Sequence, residues 1–313
     1  MKVLVPDSIP LNLPDISGIE FVKYSVEGKS FEGVQDAELL VMWMNSVENT
    51  QAAVSELKNL KLIQTLAAGP DHVLAANFDS QIKIASGRGL HDKTVAEHAL
   101  ALTLASVRQL DTLFDSQKKH IWNQEIISAQ ASQASSQLYT LNGAYILIYG
   151  FGSIAQHLAP MLTNLGALVS GVAQSNGVRN GYPVIASKEI EEQLGQFDLV
   201  ISLLPYDLTT EKHFGEKFFN AMKDSGIFIN VGRGKTVDEA ALISAIKSQK
   251  IRRAAIDVTS VEPLPADSPL WELDNVIITP HIAGGRPQGA EQLIADNALA
   301  ALSGEKIKNL VAR

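Results

Sequence analysis

The chain has 313 residues, 46% of them hydrophobic and 19% charged, which is the balance of a folded globular protein and more length than one typical core accommodates. Its formal net charge of −8 argues against nucleic acid as a partner, because that binding depends on patches of Lys and Arg. The absence of cysteine excludes disulfides, thiolate nucleophiles and thiolate-bound metals.

Targeting and membrane signals are not evident in the sequence. The N-terminal stretch MKVLVPDSIP has an apolar run too short for a signal peptide. No apolar stretch persists for the roughly 20 residues that a membrane span needs. We therefore expect a cytoplasmic protein that does not bind membranes.

Short apolar runs alternate with helical patterns along most of the chain, which is typical of parallel sheets with crossover helices. In the first part of the chain the predicted strands are MKVLVP, EFVKYS, AELLVMWM, LKLIQTLA and IKIAS. In the second part they are AYILIYG, ALVSGVA, FDLVISLLP, GIFINVG, RRAAIDV and NVIITP. The pattern predicts two parallel sheets, and therefore two α/β domains.

Two helical patterns flank the second set of strands. The first is TVAEHALALTLASVRQL, where we expect Thr94 and Glu97 to form a capping box. Its predicted buried face comprises Val95, Ala99, Leu102, Ser106, Leu110 and Leu113. The second helix, QGAEQLIADNALAAL, would return the chain to the first sheet. We therefore predict a discontinuous first domain, residues 1–93 and 287–313, and a second domain, residues 94–286.

One segment of the second domain lacks a structural signal. Residues 127–137 are rich in Gln, Ser and Ala and have no large periodic apolar face. This composition predicts a surface loop or an irregular helix, in preference to a binding role.

The strand AYILIYG leads into Gly150, Gly152 and Ala155 and then into a helix, so the motif G-x-G-x-x-A stands between a strand and a helix. Gly150 permits a tight turn, Gly152 lets the backbone approach a pyrophosphate, and Ala155 allows close packing of the helix. The helix N-terminus then offers amide hydrogens to the anion. The sequence predicts a dinucleotide site here, with a turn that binds no ligand as the alternative.

The next strand, ALVSGVA, ends at Gln174, Ser175 and Asn176, without the acid that bonds the ribose 2′-hydroxyl in NAD-binding proteins. Without that carboxylate nothing repels a 2′-phosphate, and Arg179 is close enough in the sequence to bind one. We therefore expect NAD(P) as the cofactor, with a preference for NADP(H). The alternative is that Arg179 is a solvated loop cation.

Later strand ends carry further charged or titratable groups. INVGRG places Arg233 between two glycines, AIDVTSVEPLP contains Asp257 and Glu262, and NVIITPHIAGG contains His281. Because ligands bind outside the carboxyl ends of strands in open parallel sheets, we expect these groups to face the dinucleotide. Each also has a simpler interpretation: a surface cation, a turn cap, a loop carboxylate and a histidine that begins a surface loop.

Six segments carry a resemblance over essentially the whole chain: TLAAGPDHV, TVAEHALAL, GFGSIA, NVGRGKTVDEAAL, DVTSVEPLPADSPLW and TPHIAGG. In this order they make the sequence resemble the D-isomer-specific 2-hydroxyacid dehydrogenases. The resemblance implies two Rossmann/flavodoxin-like, doubly wound parallel-sheet domains with a cleft between them. It also implies a homodimer that reversibly transfers hydride between a nicotinamide and a 2-keto or 2-hydroxy acid, such as glyoxylate, hydroxypyruvate or a phosphorylated relative.

The resemblance also implies roles for individual residues. Arg233, Glu262 and His281 would form the catalytic group, and Asp257 would contact the nicotinamide side of the cofactor. The backbone near Ala68 and Gly69 would hold the substrate carboxylate. The residues predicted to contact the cofactor are Gly150, Gly152, Ser153, Ile154, Gln174, Ser175, Pro205, Gly232 and Asp257.

The chemistry of a 2-keto acid supports these roles. The planar guanidinium of Arg233 can anchor the carboxylate and polarise the carbonyl without losing its charge. Hydride addition leaves an alkoxide, which needs a proton from an acid that titrates near neutrality, and a histidine suits that role. Glu262, bonded to the other nitrogen of the His281 ring, would fix the tautomer and stabilise the charged imidazole.

The remaining histidines and acids receive simpler interpretations. Glu97 and His98 are interpreted as structural residues at the start of a helix. His72 and His91 are interpreted as loop residues, with a substrate role as the alternative. The spacing of His91, Asp92, Glu97 and His98 matches no familiar zinc pattern, so no metal is predicted.

Two other functions compete with the dehydrogenase. A non-catalytic dinucleotide-binding sensor or corepressor-like protein could use the same scaffold, but it would have no need of Glu262. A different Rossmann enzyme, such as a methyltransferase, would leave Arg233 and His281 without a role. The residues expected to choose the substrate lie in the first domain and include Trp43, Met44 and Asn45.

Overall fold

The computed structural model describes residues 1–132 and 137–312. The chain divides into two compact units, of which the first comprises Met1–His91 with Arg286–Arg313 and the second Asp92–Gly285. The first unit is therefore discontinuous in sequence. The assignment of substrate binding to the first unit and of dinucleotide binding to the second stays a prediction.

The first unit contains a five-stranded parallel sheet in the order β2-β1-β3-β4-β5. Its strands are β1 (Lys2–Pro6), β2 (Glu20–Tyr24), β3 (Leu39–Met42), β4 (Leu62–Thr65) and β5 (Lys83–Ala85). Its helices are α1 (Val47–Glu56), α2 (Asp71–Ala75) and, after the second unit, α9 (Ala290–Ser303). All five predicted strands of this part are confirmed.

The central strands of this sheet, such as β3, are covered on both faces. Leu39 and Val41 of β3 pack in a cluster that includes Ile294 of α9, whereas Leu40 packs in a cluster that includes Ala53 of α1. Successive residues of a strand point to opposite faces, so both faces are covered. This double burial explains why the strands appear in the sequence as uninterrupted apolar runs.

The second unit contains an eight-stranded sheet in the order β13-β12-β11-β10-β6-β7-β9-β8. Its strands are β6 (Tyr145–Tyr149), β7 (Leu168–Ala173), β8 (Gly177–Arg179), β9 (Tyr182–Ala186), β10 (Leu199–Ser202), β11 (Ile227–Asn230), β12 (Arg253–Ile256) and β13 (Val276–Ile278). Its helices are α3 (Asp92–Arg108), α4 (Leu110–Lys118), α5 (Gln124–Ala131), α6 (Ser153–Asn164), α7 (Glu216–Ala221) and α8 (Glu239–Lys247).

The order of these strands reverses beside β6. On one side of β6 the chain forms β7, then β8 at the edge, and then β9 between them. It then crosses to the other side of β6 and forms β10, β11, β12 and β13 in order outward. Ligands of open α/β sheets bind at such a reversal, outside the carboxyl ends of the strands. A ligand of this sheet is therefore expected at the loops after β6, β10, β11, β12 and β13.

All six strands predicted for the second part are confirmed, but the sheet has two further strands that the sequence did not predict, and it is not parallel throughout. β8 and β9 form a short hairpin, and β8 pairs antiparallel with β9. The three residues of β8 are mostly exposed, and β9 contains Pro183, so neither strand shows the apolar run of a buried strand.

The predicted capping box is also wrong. Helix α3 begins two residues before Thr94, and the Thr94 hydroxyl donates to the carbonyl of Gly284 at 2.6 Å. The hydroxyl of Thr94 therefore bonds to a residue distant in the sequence and does not cap the N-terminus of the helix. The helix stops at Arg108, because Gln109 adopts a left-handed conformation with φ of 53°.

The predicted apolar face of α3 is confirmed up to this break. Val95, Ala99, Leu102 and Ser106 are buried, whereas Leu110, which lies beyond the break, is 36% exposed.

Part of the Gln- and Ser-rich segment forms helix α5, which has no buried residue. Residues 133–136 of that segment lie outside the described residues. In the described part of the chain, no helix combines the length and apolarity that crossing a lipid bilayer demands.

Candidate active site

The loop after β6 has the backbone form of a phosphate-binding turn. Gly150 has φ of +100°, and a Cβ there would lie 3.0 Å from the backbone of Leu203. Gly152 is the N-cap of α6, makes no side-chain cap, and would place a Cβ in open space. Ala155, in the first turn of α6, is fully buried. The loop and the open helix end therefore fit an anionic pyrophosphate.

The end of β7 is polar and carries no acid. Gln174 and Ser175 are exposed residues between β7 and β8. Arg179, at the end of β8, is half-buried and donates from Nη1 to the carbonyl of Phe151 at 3.1 Å. The guanidinium thus lies against the glycine loop, and the interpretation of Arg179 as a solvated loop cation is wrong.

The loops after β10 and β11 are in backbone contact. A Cβ at Gly232 would lie 2.7 Å from the carbonyl oxygen of Leu204, so only glycine lets these loops meet. Arg233 follows directly, and its Nη1 donates to the carbonyl of Gly232 at 2.8 Å. Pro205, the predicted cofactor contact, is exposed after β10.

The turn that carries Arg233 also contacts the loop that carries Glu262. A Cβ at Gly234 would lie only 1.9 Å from the carbonyl oxygen of Thr259. The amide of Thr259 in turn donates to Oε1 of Glu262 at 3.0 Å. Because these backbones touch, the positions of Arg233 and Glu262 depend on each other.

Glu262 and His281 form a hydrogen-bonded pair, with 2.7 Å between Oε2 of the carboxyl and Nδ1 of the ring. Burial raises the pKa of Glu262, but the hydrogen bonds from His281 and the Thr259 amide, with the charge of Arg233, outweigh burial and lower this pKa overall. The carboxylate therefore stays ionised and accepts the Nδ1 proton. The other ring nitrogen, Nε2, is the one that can exchange a proton with a ligand.

Asp257 organises the loop that carries His281. Its buried carboxylate accepts from the Thr279 hydroxyl at 2.6 Å and from the amides of Ile282 and Ala283, both at 3.0 Å. Its carbonyl accepts from the amide of His281 at 2.7 Å. This is the arrangement of a turn cap, and a contact between Asp257 and the nicotinamide stays a prediction.

Ala68 and Gly69 lie in the first unit, in the loop after β4, and both are partly exposed. The loop is fixed just before them, since the Ala67 amide donates to the Thr65 hydroxyl at 3.2 Å and the Ala67 carbonyl accepts from the Gly87 amide at 2.8 Å. This part of the backbone is therefore held in one conformation.

His98 was missed as a member of the site. Its Nε2 lies 3.0 Å from the Thr279 hydroxyl and 3.3 Å from Oδ1 of Asp257, so its contacts are with the loop after β13 and with Asp257 and not with the start of the helix. A signal was present, because His98 lies on the same helical stripe as the buried residues Val95 and Leu102.

Two other histidines lie elsewhere. His91 is buried in the first unit, where it stacks on Trp43 with ring centroids 5.4 Å apart and bonds to the carbonyl of Leu66. His72 lies in the short helix α2, not in a loop, and is exposed. Among the described residues, no group of three or more His, Asp or Glu side chains is arranged to hold a metal ion.

Comparisons with known proteins agree on one family. The family model described as "D-isomer specific 2-hydroxyacid dehydrogenase, NAD binding domain" matches residues 100–283. The glycerate dehydrogenase of Methylorubrum extorquens is 31% identical over 269 residues, which cover 85% of this chain and 81% of that protein. The D-3-phosphoglycerate dehydrogenase of Methanocaldococcus jannaschii is 28% identical over 324 residues, which cover 99% of this chain but 57% of that protein. The chain thus spans little more than half the length of that relative.

A solved structure gives the same answer for the fold. The D-isomer specific 2-hydroxyacid dehydrogenase from Xanthobacter autotrophicus Py2, in complex with NADPH and MES, has a TM-score of 0.80 and 25% identity. The alignment covers 99% of this chain and 98% of that one. These likenesses define the class as NAD(P)-binding α/β oxidoreductases. Within that class, the chain belongs to the D-isomer specific 2-hydroxyacid dehydrogenase family, as the sequence predicts.

Proposed function

We propose that this protein reversibly reduces a small 2-keto acid to a D-2-hydroxy acid with NAD(P)H. The observation that carries the proposal is the pair of Glu262 and His281, joined at 2.7 Å beside the turn of Arg233. All three side chains follow strands of one sheet, on the same edge as the glycine loop. Open α/β sheets in general bind their ligands at that edge.

The glycine loop is the proposed binding site of the cofactor. Gly150 and Gly152 leave room for the pyrophosphate, and the amides of Ser153 and Ile154 at the start of α6 would donate to it. Bound NAD(P)H supplies the hydride for the reaction. Further contacts are proposed for Gln174, Ser175, Pro205, Gly232 and Asp257.

Arg233 is proposed to bind the substrate through its carboxylate and its 2-keto oxygen. A guanidinium offers several N–H donors in one plane, which suits two neighbouring oxygen atoms. Its positive charge also stabilises the negative charge that develops on the keto oxygen during hydride transfer. Backbone amides near Ala68 and Gly69 are proposed as the other donors to the carboxylate.

His281 is proposed as the acid in reduction and the base in oxidation. When hydride adds to the carbonyl carbon, the C–O π electrons move to oxygen, and the Nε2–H bond breaks to protonate that oxygen. The imidazole is then left neutral, with its remaining proton on Nδ1 toward Glu262. The Glu262 carboxylate holds the Nδ1 side of the ring, so that Nε2 is the nitrogen that faces the substrate oxygen.

The test is a panel of 2-keto acids, including glyoxylate, hydroxypyruvate and phosphohydroxypyruvate, with NADPH and NADH as alternative reductants. We expect loss of the absorbance of the reduced cofactor with at least one substrate, and formation of the D-hydroxy acid. A folded sample that binds cofactor but reduces none of them would refute the proposal and favour the dinucleotide-binding sensor. For the variant His281→Asn, which replaces the proposed acid, the matched control is His120→Asn, at an exposed histidine that, like His281, has a positive φ.

We further propose that the cofactor is NADPH. Arg179 lies against the glycine loop through its bond to Phe151, and the exposed Gln174 and Ser175 offer no charge that would repel a 2′-phosphate. The relative from Xanthobacter autotrophicus Py2 is itself a complex with NADPH. Fluorescence titration with NADPH and NADH tests this preference, and tighter binding of NADH would refute it. The homodimer stays a prediction, which sedimentation equilibrium would test.

A further inference from the structure

His98 lies in helix α3, and its ring contacts Thr279 and Asp257, which hold the loop that carries His281. Its side chain is 19% exposed and that of Asp257 is 0% exposed. Its Nε2 lies 3.0 Å from the Thr279 hydroxyl and 3.3 Å from Oδ1 of Asp257.

The directions of these hydrogen bonds follow from the number of protons. The Thr279 hydroxyl has a single proton, which it donates to Oδ1 of Asp257 at 2.6 Å. The hydroxyl oxygen must therefore accept from His98, so Nε2 of His98 carries a proton. If that nitrogen were an acceptor instead, the hydroxyl would have to turn its proton away from Asp257, and two lone pairs would face each other at 2.6 Å. His98 is thus a required donor in this network.

The loop that depends on this network is conformationally demanding. His281 has φ of 51°, in the left-handed region that side chains with a Cβ rarely adopt. Its amide donates to the carbonyl of Asp257, and the next two amides donate to the carboxylate of the same residue. The orientation of the Asp257 carboxylate therefore determines the path of residues 279–283, and with it the direction of the His281 ring.

We propose that His98 is a positioning residue for the acid–base histidine, acting through Thr279 and Asp257. This proposal rests on the proposed function of His281. Removing the donor leaves the Thr279 hydroxyl oxygen without the hydrogen bond that fixes its orientation toward Oδ1 of Asp257. The Asp257 carboxylate then has a less firmly held partner and gains freedom to rotate. The His281 ring then spends less time aligned with Glu262 and the substrate oxygen. Cofactor binding at the glycine loop is not expected to change.

The test compares His98→Leu, which removes the donor, with His98→Gln, whose amide nitrogen reaches about as far as the imidazole Nε2. We expect His98→Leu to lower kcat about tenfold or more, because a misplacement of the order of 1 Å has large kinetic effects. KM for the cofactor should change less than kcat, because the glycine loop that would hold the pyrophosphate is untouched. His98→Gln should restore kcat to within about threefold of the wild type. The matched control is His157→Leu, at an exposed histidine of helix α6, which should retain wild-type kcat.

The outcomes that overturn the proposal are equally definite. A kcat of His98→Leu within twofold of the wild type overturns it, and so do equal losses in the Leu and Gln variants. If His98→Leu does not fold, Thr279→Val takes its place, since it removes the hydroxyl and keeps the branched shape. The kcat of Thr279→Val must then fall about tenfold, with a smaller change in cofactor KM. Unchanged kcat in that variant overturns the proposal.

A spectroscopic measurement separates this proposal from the proposed function. Long-range proton–nitrogen spectra of histidine-labelled protein report which ring nitrogen carries the proton. We expect a proton on Nε2 of His98, and altered ring signals of His281 in His98→Leu but not in His98→Gln. If the wild type reduces no 2-keto acid while these signals change as expected, the proposed function fails and the positioning stands. Unaltered His281 signals in His98→Leu would overturn the positioning whether or not the wild type is active.

Discussion

Adding one methyl group at Gly234 should separate the two loops that hold the reaction group. In Gly234→Ala the new Cβ would lie 1.9 Å from the carbonyl oxygen of Thr259, whereas ordinary van der Waals contact begins at 3.4 Å. One backbone must therefore move by about 1.5 Å, which is the difference between those distances. The amide of Thr259 holds Glu262, so this carboxylate moves relative to Arg233.

The expected consequence is loss of catalysis in a protein that still folds. A displacement above 1 Å at a reacting group costs about 100-fold in rate, so kcat of Gly234→Ala should fall by about that factor. Overpacking of this kind should also lower the free energy of unfolding by about 1 to 3 kcal/mol. Steady-state reduction of the best 2-keto acid measures the first effect, and urea denaturation measures the second.

The matched control is Gly195→Ala, because a Cβ at this exposed glycine lies 3.5 Å from the carbonyl oxygen of Ala221, an ordinary contact. The control should retain kcat and stability. If Gly234→Ala kept kcat within twofold of the wild type, the close approach of the two loops would have no part in catalysis, and the reasoning would be refuted.

Three further predictions concern other parts of the molecule. Although burial raises the pKa of Glu262, its hydrogen bonds and the charge of Arg233 lower this pKa overall. The stability that the ionised carboxylate contributes is therefore present at neutral pH and is lost as the pH falls through the lowered pKa. Glu262→Gln should remove this loss in urea unfolding measured from pH 7 to pH 3. Arg179→Ala should weaken NADPH binding about tenfold to 100-fold and NADH binding less than twofold in fluorescence titrations, and equal losses would exclude contact with the 2′-phosphate. Asn297→Ala should lower the free energy of unfolding by about 3 kcal/mol in thermal or urea denaturation, because it removes hydrogen bonds to buried Gln64 and to the backbone of Lys308. A loss below about 1 kcal/mol would show that these groups find other partners.

The sequence predicts the sheets better than their edges. Strands such as β3 and β10 are covered on both faces, so burial leaves a continuous apolar run that can be recognised without knowing the partner strand. The hairpin of β8 and β9 lies at the open edge of its sheet, where exposure removes that run. Edge strands depend on pairing that the local sequence does not encode.

Contacts distant in sequence account for what was mispredicted near the site. Thr94 has the residue type and spacing of a helix cap, but its hydroxyl bonds to Gly284, 190 positions away. His98 was assigned to the helix start for the same reason, and its partner Thr279 is 181 positions away. Local patterns therefore identify which residues can form hydrogen bonds, whereas the fold decides which partner each one meets.

Arg233, Glu262 and His281 could be proposed from the sequence because each lies in a loop that follows a strand paired in parallel, and because the sequence resembles the family. Parallel strands bring their carboxyl ends to one edge, so sequence position there translates into spatial position. The glycines that let these loops touch carry no such signal. The requirement for glycine at position 234 is evident only from the structure, where the carbonyl of Thr259 lies against it.

The central claim is that the ring of His281 exchanges a proton with substrate while Glu262 holds its other nitrogen. The most direct test is His281→Asn, because Asn tolerates the left-handed conformation that His281 adopts, with φ of 51°, and so preserves the loop. Single-turnover reduction with prebound cofactor should slow by about 100-fold or more, as loss of an acid catalyst requires, with unchanged cofactor affinity. A rate within threefold of the wild type would contradict the account.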